Sequence, residues 1–230
     1  MALFQLNPED PFSFPLPELV EKDEPACIGG DLSSERLITA YQFGYFPWFS
    51  PGSPLLWWNP DPRFVIFPEE LKVAKSMRPY FNQKKYRVTY DTAFEEVIKN
   101  CRDTYREGQL GSWIDQRIIT AYQELHRLGF AHSVEVWDQE DSLVGGLYGI
   151  AIGKVFFGES MFAHARDASK FGFISLVRRL KDQGYELIDC QQRTSHLASL
   201  GGRAISRNDF TKILEKITPE TTERGPWTVH

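Results

Sequence analysis

The chain is short of cysteine, of histidine and of long apolar runs, and each shortage excludes a class of protein. Cys27, Cys101 and Cys190 are the only cysteines. An odd number without CxxC spacing argues against both a disulfide framework and a zinc clip. The five histidines are scattered, with no HExxH or comparable ligand pair, so neither a metal nor any other cofactor is expected. No stretch approaches the ~20 apolar residues of a membrane span. The first residues, MALFQLNPEDPF, have neither a basic n-region nor a sustained apolar run and do not read as a signal peptide. A soluble cytoplasmic protein is the expectation. GxGxxG, Walker and GxSxG motifs are missing as well. Ser160, His164 and Asp189 make a triad only by selection among many such residues.

What is present is room for a sizeable core. A chain of 230 residues can form one large domain, or a main domain with a smaller partner. A net charge of −5 speaks against a generic nucleic-acid coat. Yet KVAKSMRPYFNQKKYR carries Lys72, Lys75, Arg78, Lys84, Lys85 and Arg87 without one acid. That run is either a solvated basic face or a phosphate-contacting patch interleaved with Tyr80, Phe81 and Tyr86. Charge alone leaves both open.

Residues 1–63 are rich in proline and aromatics and read as a small N-terminal domain, with 64–230 as the main one. The first part has one helix, in SSERLITAYQFG, with Ser33 or Ser34 as cap and Gly44 as stop. YFPWFSPGSPLLWWNPDPRF follows, and prolines at that density predict a rigid loop rather than a helix or central strand. Its aromatics either plug a seam or line a cleft. Beyond it, DTAFEEVIKNC predicts a helix with a Thr92/Glu95 capping box. DQRIITAYQELHRLGF predicts another, capped by Asp115 and stopped by Gly129. HSVEVW, LVGGLYGIAIG and VFFGESMF predict an antiparallel meander. A helix near 167–183, the strand YELIDC and a helix in SRNDFTKILEKI complete the layout. This is an α+β fold, helices on a mostly antiparallel sheet, in the order of the GNAT-like acyltransferase fold.

FFGESMF puts Glu159 in an apolar run, where an unpaired acid is costly. Either the strand has a solvated face, or the acid serves a pocket with apolar walls. A coenzyme A dependent N-acetyltransferase needs a glycine-rich pyrophosphate turn, R/Q-x-x-G-x-G/A. FAHARDASKFGF has Arg166 and Gly172 but no glycine pair at that spacing, which disfavours this reading. Paired carboxylates for glycoside hydrolysis need a separation that sequence does not give. Polar groups concentrate instead at strand ends: Glu159 and Ser160 on one, Asp189 and Gln191 on another. Two apart, Asp189 and Gln191 share a face while the strand stays extended. With Glu159 on a neighbouring strand they can hold or deprotonate an amine, or merely tie down the following loop.

Longer stretches carry a resemblance through nearly the whole chain. They are GGDLSSERLITAYQFGYFPWFSPGSPLLWWNPDPR, SWI at 112–114, AHSVEVW, LVGGLYGIAIGKVFFGESMF, ASK at 168–170, LIDCQ and HLASLGG. In order and spacing the sequence resembles the leucyl/phenylalanyl-tRNA–protein transferases. The resemblance implies transfer of Leu, Phe or Met from aminoacyl-tRNA to proteins beginning with Arg or Lys, feeding N-degron degradation. It implies a GNAT-like domain behind a small N-terminal one, with no metal and no covalent enzyme intermediate. It makes Glu159, Asp189 and Gln191 the catalytic candidates and Trp113 the platform for the terminal adenosine. Leu147, Gly158, Ser160, Met161 and Ile188 become the aminoacyl pocket, and Lys72 to Arg87 a tRNA contact. Phe171 and Phe173 depart from the smaller aliphatic residues usual there and are expected to reshape its far end. Asn59 replaces a usual Ser. A module that binds RNA or basic peptide ends without chemistry is the non-enzymatic alternative.

Overall fold

The computed structural model describes residues 3–104 and 112–228. The first part comprises β1 (Phe4–Leu6), β2 (Cys27–Gly29), α1 (Ser34–Gln42), β3 (Phe46–Pro47) and β4 (Leu56–Trp58). Ser33 is the cap of α1, its hydroxyl accepting from the Arg36 N–H, and Gly44 leaves the helix at φ +81°. The four strands form one sheet in the order β1-β2-β4-β3, with β1 and β2 parallel. The rigid loop expected from the proline density is instead two strands, β3 and β4. The prolines at 47, 51, 54 and 60 flank Leu56–Trp58 without interrupting it, so β4 pairs on both edges, with β2 and β3. Its aromatics divide the two expected roles. Trp57 is buried, its indole donating to the Gly29 carbonyl, whereas Trp48 packs at a tilt against Trp58 at the edge of a cavity.

The second sheet has seven strands. They are β5 (Arg63–Ile66), β6 (Arg87–Tyr90), β7 (Ala131–Trp137), β8 (Leu143–Ile152), β9 (Val155–Ala163), β10 (Leu187–Asp189) and β11 (Arg203–Ile205). Their order is β11-β5-β10-β9-β8-β7-β6, and every pairing is antiparallel except β9 with β10. The helices are α2 (Arg78–Asn82), α3 (Phe94–Asp103), α4 (Gln116–Arg127), α5 (Ala168–Asp182), α6 (Ser195–Ser199) and α7 (Arg207–Ile217). The architecture is mixed α+β, with the expected meander as β7-β8-β9. Asp115 caps α4 through the Arg117 and Ile118 N–H groups, as its position predicts. The Thr92/Glu95 box does not form at α3. Thr92 instead donates to the buried Glu135 carboxylate at 2.8 Å, which competes for the hydroxyl a cap would use.

One core lies on each face of the large sheet. Tyr148, Ile150, Phe157 and Phe162 pack with α1, α3, α4 and α7. Leu147, Ala151, Phe156 and Ile188 pack with α5 on the other side. Phe157 and Phe162 are five residues apart, and a regular strand would send them to opposite faces. They share a core because β9 is bulged: Tyr148 faces Ser160 while the next residue, Gly149, faces Gly158, leaving Glu159 as the extra residue. Gly149 makes this possible. A Cβ there would stand 2.2 Å from the Phe157 carbonyl oxygen.

Candidate active site

The bulge leaves Glu159 half-buried and turned toward the helices α1 and α4. Tyr41 of α1 donates to Glu159 Oε1 at 2.7 Å, and the Tyr122 hydroxyl of α4 is hydrogen-bonded with Oε2 at 3.1 Å. Gln191 donates from Nε2 to Oε1 at 2.8 Å. Burial raises the Glu159 pKa from 4.5 to about 7 against the lowering effect of the tyrosine hydroxyls, with Asp189 adding to the rise and Arg63 opposing it. Of the two possibilities for FFGESMF, the structure has the acid in a pocket.

Asp189 has a different partner. It is wholly buried and takes Arg63 in a two-pronged pair, Nε to Oδ1 at 2.8 Å and Nη2 to Oδ2 at 2.6 Å. Its Oδ1 also accepts the Gln191 N–H at 2.9 Å, closing a turn that ends β10. Gln191 therefore has φ +59°, and the expectation that Asp189 and Gln191 share an extended face is wrong. The carboxylate turns to Arg63 and the amide to Glu159. Asp189 does hold its loop, and that same turn aims Gln191.

Above these groups is a cavity of about 470 Å³. Trp113, Leu147, Gly158, Ser160 and Met161 all line it, with Phe46, Trp48 and Phe173 from elsewhere in the chain. Ile188 is fully buried in the core, on β10 between Phe156 and Ile66. Phe171 likewise belongs to the core, stacked on Phe81 at 4.4 Å, so of the two unusual phenylalanines Phe173 faces the cavity. Asn59 is buried and ties the Phe43 carbonyl to the Arg207 guanidinium.

The six basic residues from Lys72 to Arg87 are exposed and lie along α2 and its flanks. Arg87 pairs with Asp141 at 2.7 Å, and the other five form no ion pair among the described residues. The interleaved aromatics are spent on anchoring: Phe81 and Tyr86 pack on Phe171, and Tyr80 stacks on Tyr86. The run is thus a cationic surface on an aromatic foot.

Tyr41, Tyr122 and Arg63 are the polar groups that sequence reasoning missed. The tyrosines read as core positions of amphipathic helices, and so they are; the available signal was a hydroxyl at a core position, which needs a partner when buried.

Comparison with known proteins agrees over the full length. Residues 65–215 match the family profile described as leucyl/phenylalanyl-tRNA protein transferase, and residues 30–61 that of its N-terminal domain. The leucyl/phenylalanyl-tRNA–protein transferase of Myxococcus xanthus is 48% identical over 228 residues, covering 99% of this chain and 97% of that one. That of Anaeromyxobacter dehalogenans is 49% identical over 99% of this chain and 96% of its own. That of Pseudomonas fluorescens is 54% identical over 89% of this chain and 90% of its own. The chain belongs to the leucyl/phenylalanyl-tRNA–protein transferase family. Such a transferase is an acyltransferase enzyme, and in this chain the cavity over Glu159 and Gln191 has both apolar walls and a polar centre. Among solved structures, L-PGS from Bacillus licheniformis overlaps at a TM-score of 0.40 and 12% identity, covering 71% of this chain and 50% of that chain, too distant to bear on fold or function. No helix among the described residues is long and apolar enough to cross a membrane.

Proposed function

We propose that the protein transfers a leucyl, phenylalanyl or methionyl group from aminoacyl-tRNA to the α-amino group of proteins beginning with Arg or Lys, in the cytoplasm, marking them for N-degron degradation. The observation that carries this reading is the Gln191–Glu159 hydrogen bond beneath an apolar-walled cavity. Leu147, Met161 and Phe173 are apolar walls that suit a leucyl, methionyl or phenylalanyl side chain, none of them branched at Cβ, and Trp113 suits stacking on the terminal adenosine. The large domain is read as GNAT-like, with a division near residue 63. The basic run is read as the contact for the tRNA acceptor stem.

In the reaction the acceptor nitrogen attacks the ester carbonyl carbon. The C–N bond forms, the ester C–O bond breaks, the amine gives up a proton and the ribose oxygen gains one. The donor is already an activated ester, so orientation and exclusion of water supply much of the acceleration. Because the Gln191 NH₂ group is given to Glu159, its carbonyl is the pole that accepts from an incoming amine. Asp189 acts behind it, fixing the backbone from which Gln191 projects.

The test is purified protein with leucyl-, phenylalanyl- and methionyl-tRNA in parallel and a peptide beginning with Arg. The aminoacyl group is expected on the peptide. Binding without transfer from any of the three donors would leave only a binding module, and the proposal would be wrong.

A further inference from the structure

Three oxygen contacts close a ring beneath the cavity. Tyr41 Oη lies 2.7 Å from Glu159 Oε1, Tyr122 Oη lies 3.1 Å from Glu159 Oε2, and the two hydroxyls lie 2.5 Å apart. Each hydrogen bond needs one proton between its oxygens, and an ionised carboxylate supplies none. The tyrosines bring only two. Both keep them, since burial foremost, and then the charge of Glu159, holds each pKa well above 10. If both hydroxyls donate to an ionised Glu159, the Tyr41–Tyr122 contact sets lone pair against lone pair.

A neutral carboxyl closes the count. Oε2–H donates to Tyr122, Tyr122 donates to Tyr41, and Tyr41 donates to Oε1. Gln191 Nε2 still donates to Oε1, which serves as a carbonyl acceptor. We propose that Glu159, Tyr41 and Tyr122 hold one acid proton in common, and that the two tyrosines are positioning residues which aim the Gln191 amide through the neutral Glu159. The aiming role rests on the transfer reading of the cavity; the shared proton does not.

The charged surroundings agree. Arg63 is a cation that bears on Glu159, and it is committed to Asp189 by two hydrogen bonds. Tyr148 approaches Tyr122 from β8, and the Cys190 thiol and His196 line the same cavity. Burial pushes the Cys190 thiol well above its ordinary value, and burial followed by Lys170 pushes His196 below its own. Neither brings a charge that would hold Glu159 ionised. Burial lifts Glu159 itself to about 7.

The experiment has two readouts. Infrared difference spectra between the full-length protein and its Glu159→Gln variant should show a protonated carboxyl C=O band at about pH 6 that fades through neutrality. Its absence at that pH overturns the proposal, whatever the transfer assay gives. Tyr41→Phe and Tyr122→Phe should each move the midpoint of that band by about half a unit or more; an unmoved midpoint in both overturns it. The second readout is the ratio of kcat for Glu159→Gln to kcat for the unaltered protein, in which the titration of the acceptor amine cancels. Gln donates from the Oε2 position at every pH, so the ratio should rise severalfold from pH 6 to 8.5 as the unaltered protein loses its proton, up to about thirtyfold where the ionised form is inactive. A flat or falling ratio overturns the aiming role. If no transfer occurs at all, the transfer reading falls while the infrared band still decides the shared proton.

Discussion

The polar cluster under the cavity has two ends, and they solve the burial of a carboxylate in opposite ways. At one end Asp189 faces a guanidinium, with two parallel hydrogen bonds and matched charge. At the other, Glu159 faces two hydroxyls and an amide, all neutral. A buried charge without a counter-charge is paid for by its pKa. The Arg63 end is therefore held by a charged partner, whereas at the Tyr41 end burial lifts Glu159 to about 7. The turn from Asp189 to Gln191 joins them, so the rigid end holds the residue that the titrating end aims.

Breaking the rigid end should have the largest effect. Arg63→Met leaves Asp189 buried without its partner, and such losses typically destabilise by about 3–5 kcal/mol. Arg63 also lies 4.7 Å from the Phe46 and Phe210 ring centroids, so its loss is felt across the junction of the two sheets. Urea denaturation of both proteins measures it. A change under about 1 kcal/mol would mean that the pair does not anchor the site.

That pair also shows where sequence reading stops. The helices capped by Ser33 and Asp115, and the meander β7-β8-β9, were legible because cap and alternation are written within a few residues. Arg63 stands 126 residues from Asp189 and Tyr41 stands 81 from Tyr122, and nothing local announces either meeting. Strands of three or four residues, such as β4, β6 and β11, are too short to show a period. The bulge was hidden for another reason. Register belongs to two strands at once, so FFGESMF alone cannot say that Glu159 is the residue left over. The polar strand ends and the resemblance both pointed to Glu159, Asp189 and Gln191, but neither gave the turn that separates their directions.

Titrating the other end comes next in size. The folded pKa of Glu159, about 7, lies above the ordinary 4.5, so between these values the folded protein binds a proton that the unfolded chain does not. Stability must then fall as pH rises through that window, with the full penalty above pH 7. A shift of this size corresponds to at most about 3 kcal/mol. In Glu159→Gln that slope is absent, so the unfolding free energy of the variant minus that of the unaltered protein should rise from pH 4.5 to 8. A difference independent of pH would place Glu159 among ordinary solvated acids.

Gly149→Ala probes the geometry that delivers Glu159 to the tyrosines. The new methyl meets a backbone oxygen, which cannot swing aside. Overpacking of this kind costs about 1–3 kcal/mol. The loss should come with a flattened pH dependence of stability, because without the bulge Glu159 leaves the ring. Lost stability with an unchanged pH profile would separate the bulge from the titration.

The same contrast of held and unheld charge reaches the surface, with the smallest effects. Arg87 is already engaged by Asp141, whereas Lys84 forms no ion pair among the described residues. If the basic run contacts phosphates, Lys84→Ala should weaken aminoacyl-tRNA binding and lower the log–log salt slope by about 0.7–0.9. Arg87→Ala should do less, because Arg87 has to leave Asp141 before it can meet a phosphate. Asp141→Ala should accordingly strengthen binding, by less than about 1 kcal/mol for an exposed pair. Filter binding across a salt series resolves all three, and equal slopes for Lys84→Ala and the unaltered protein would remove Lys84 from the interface.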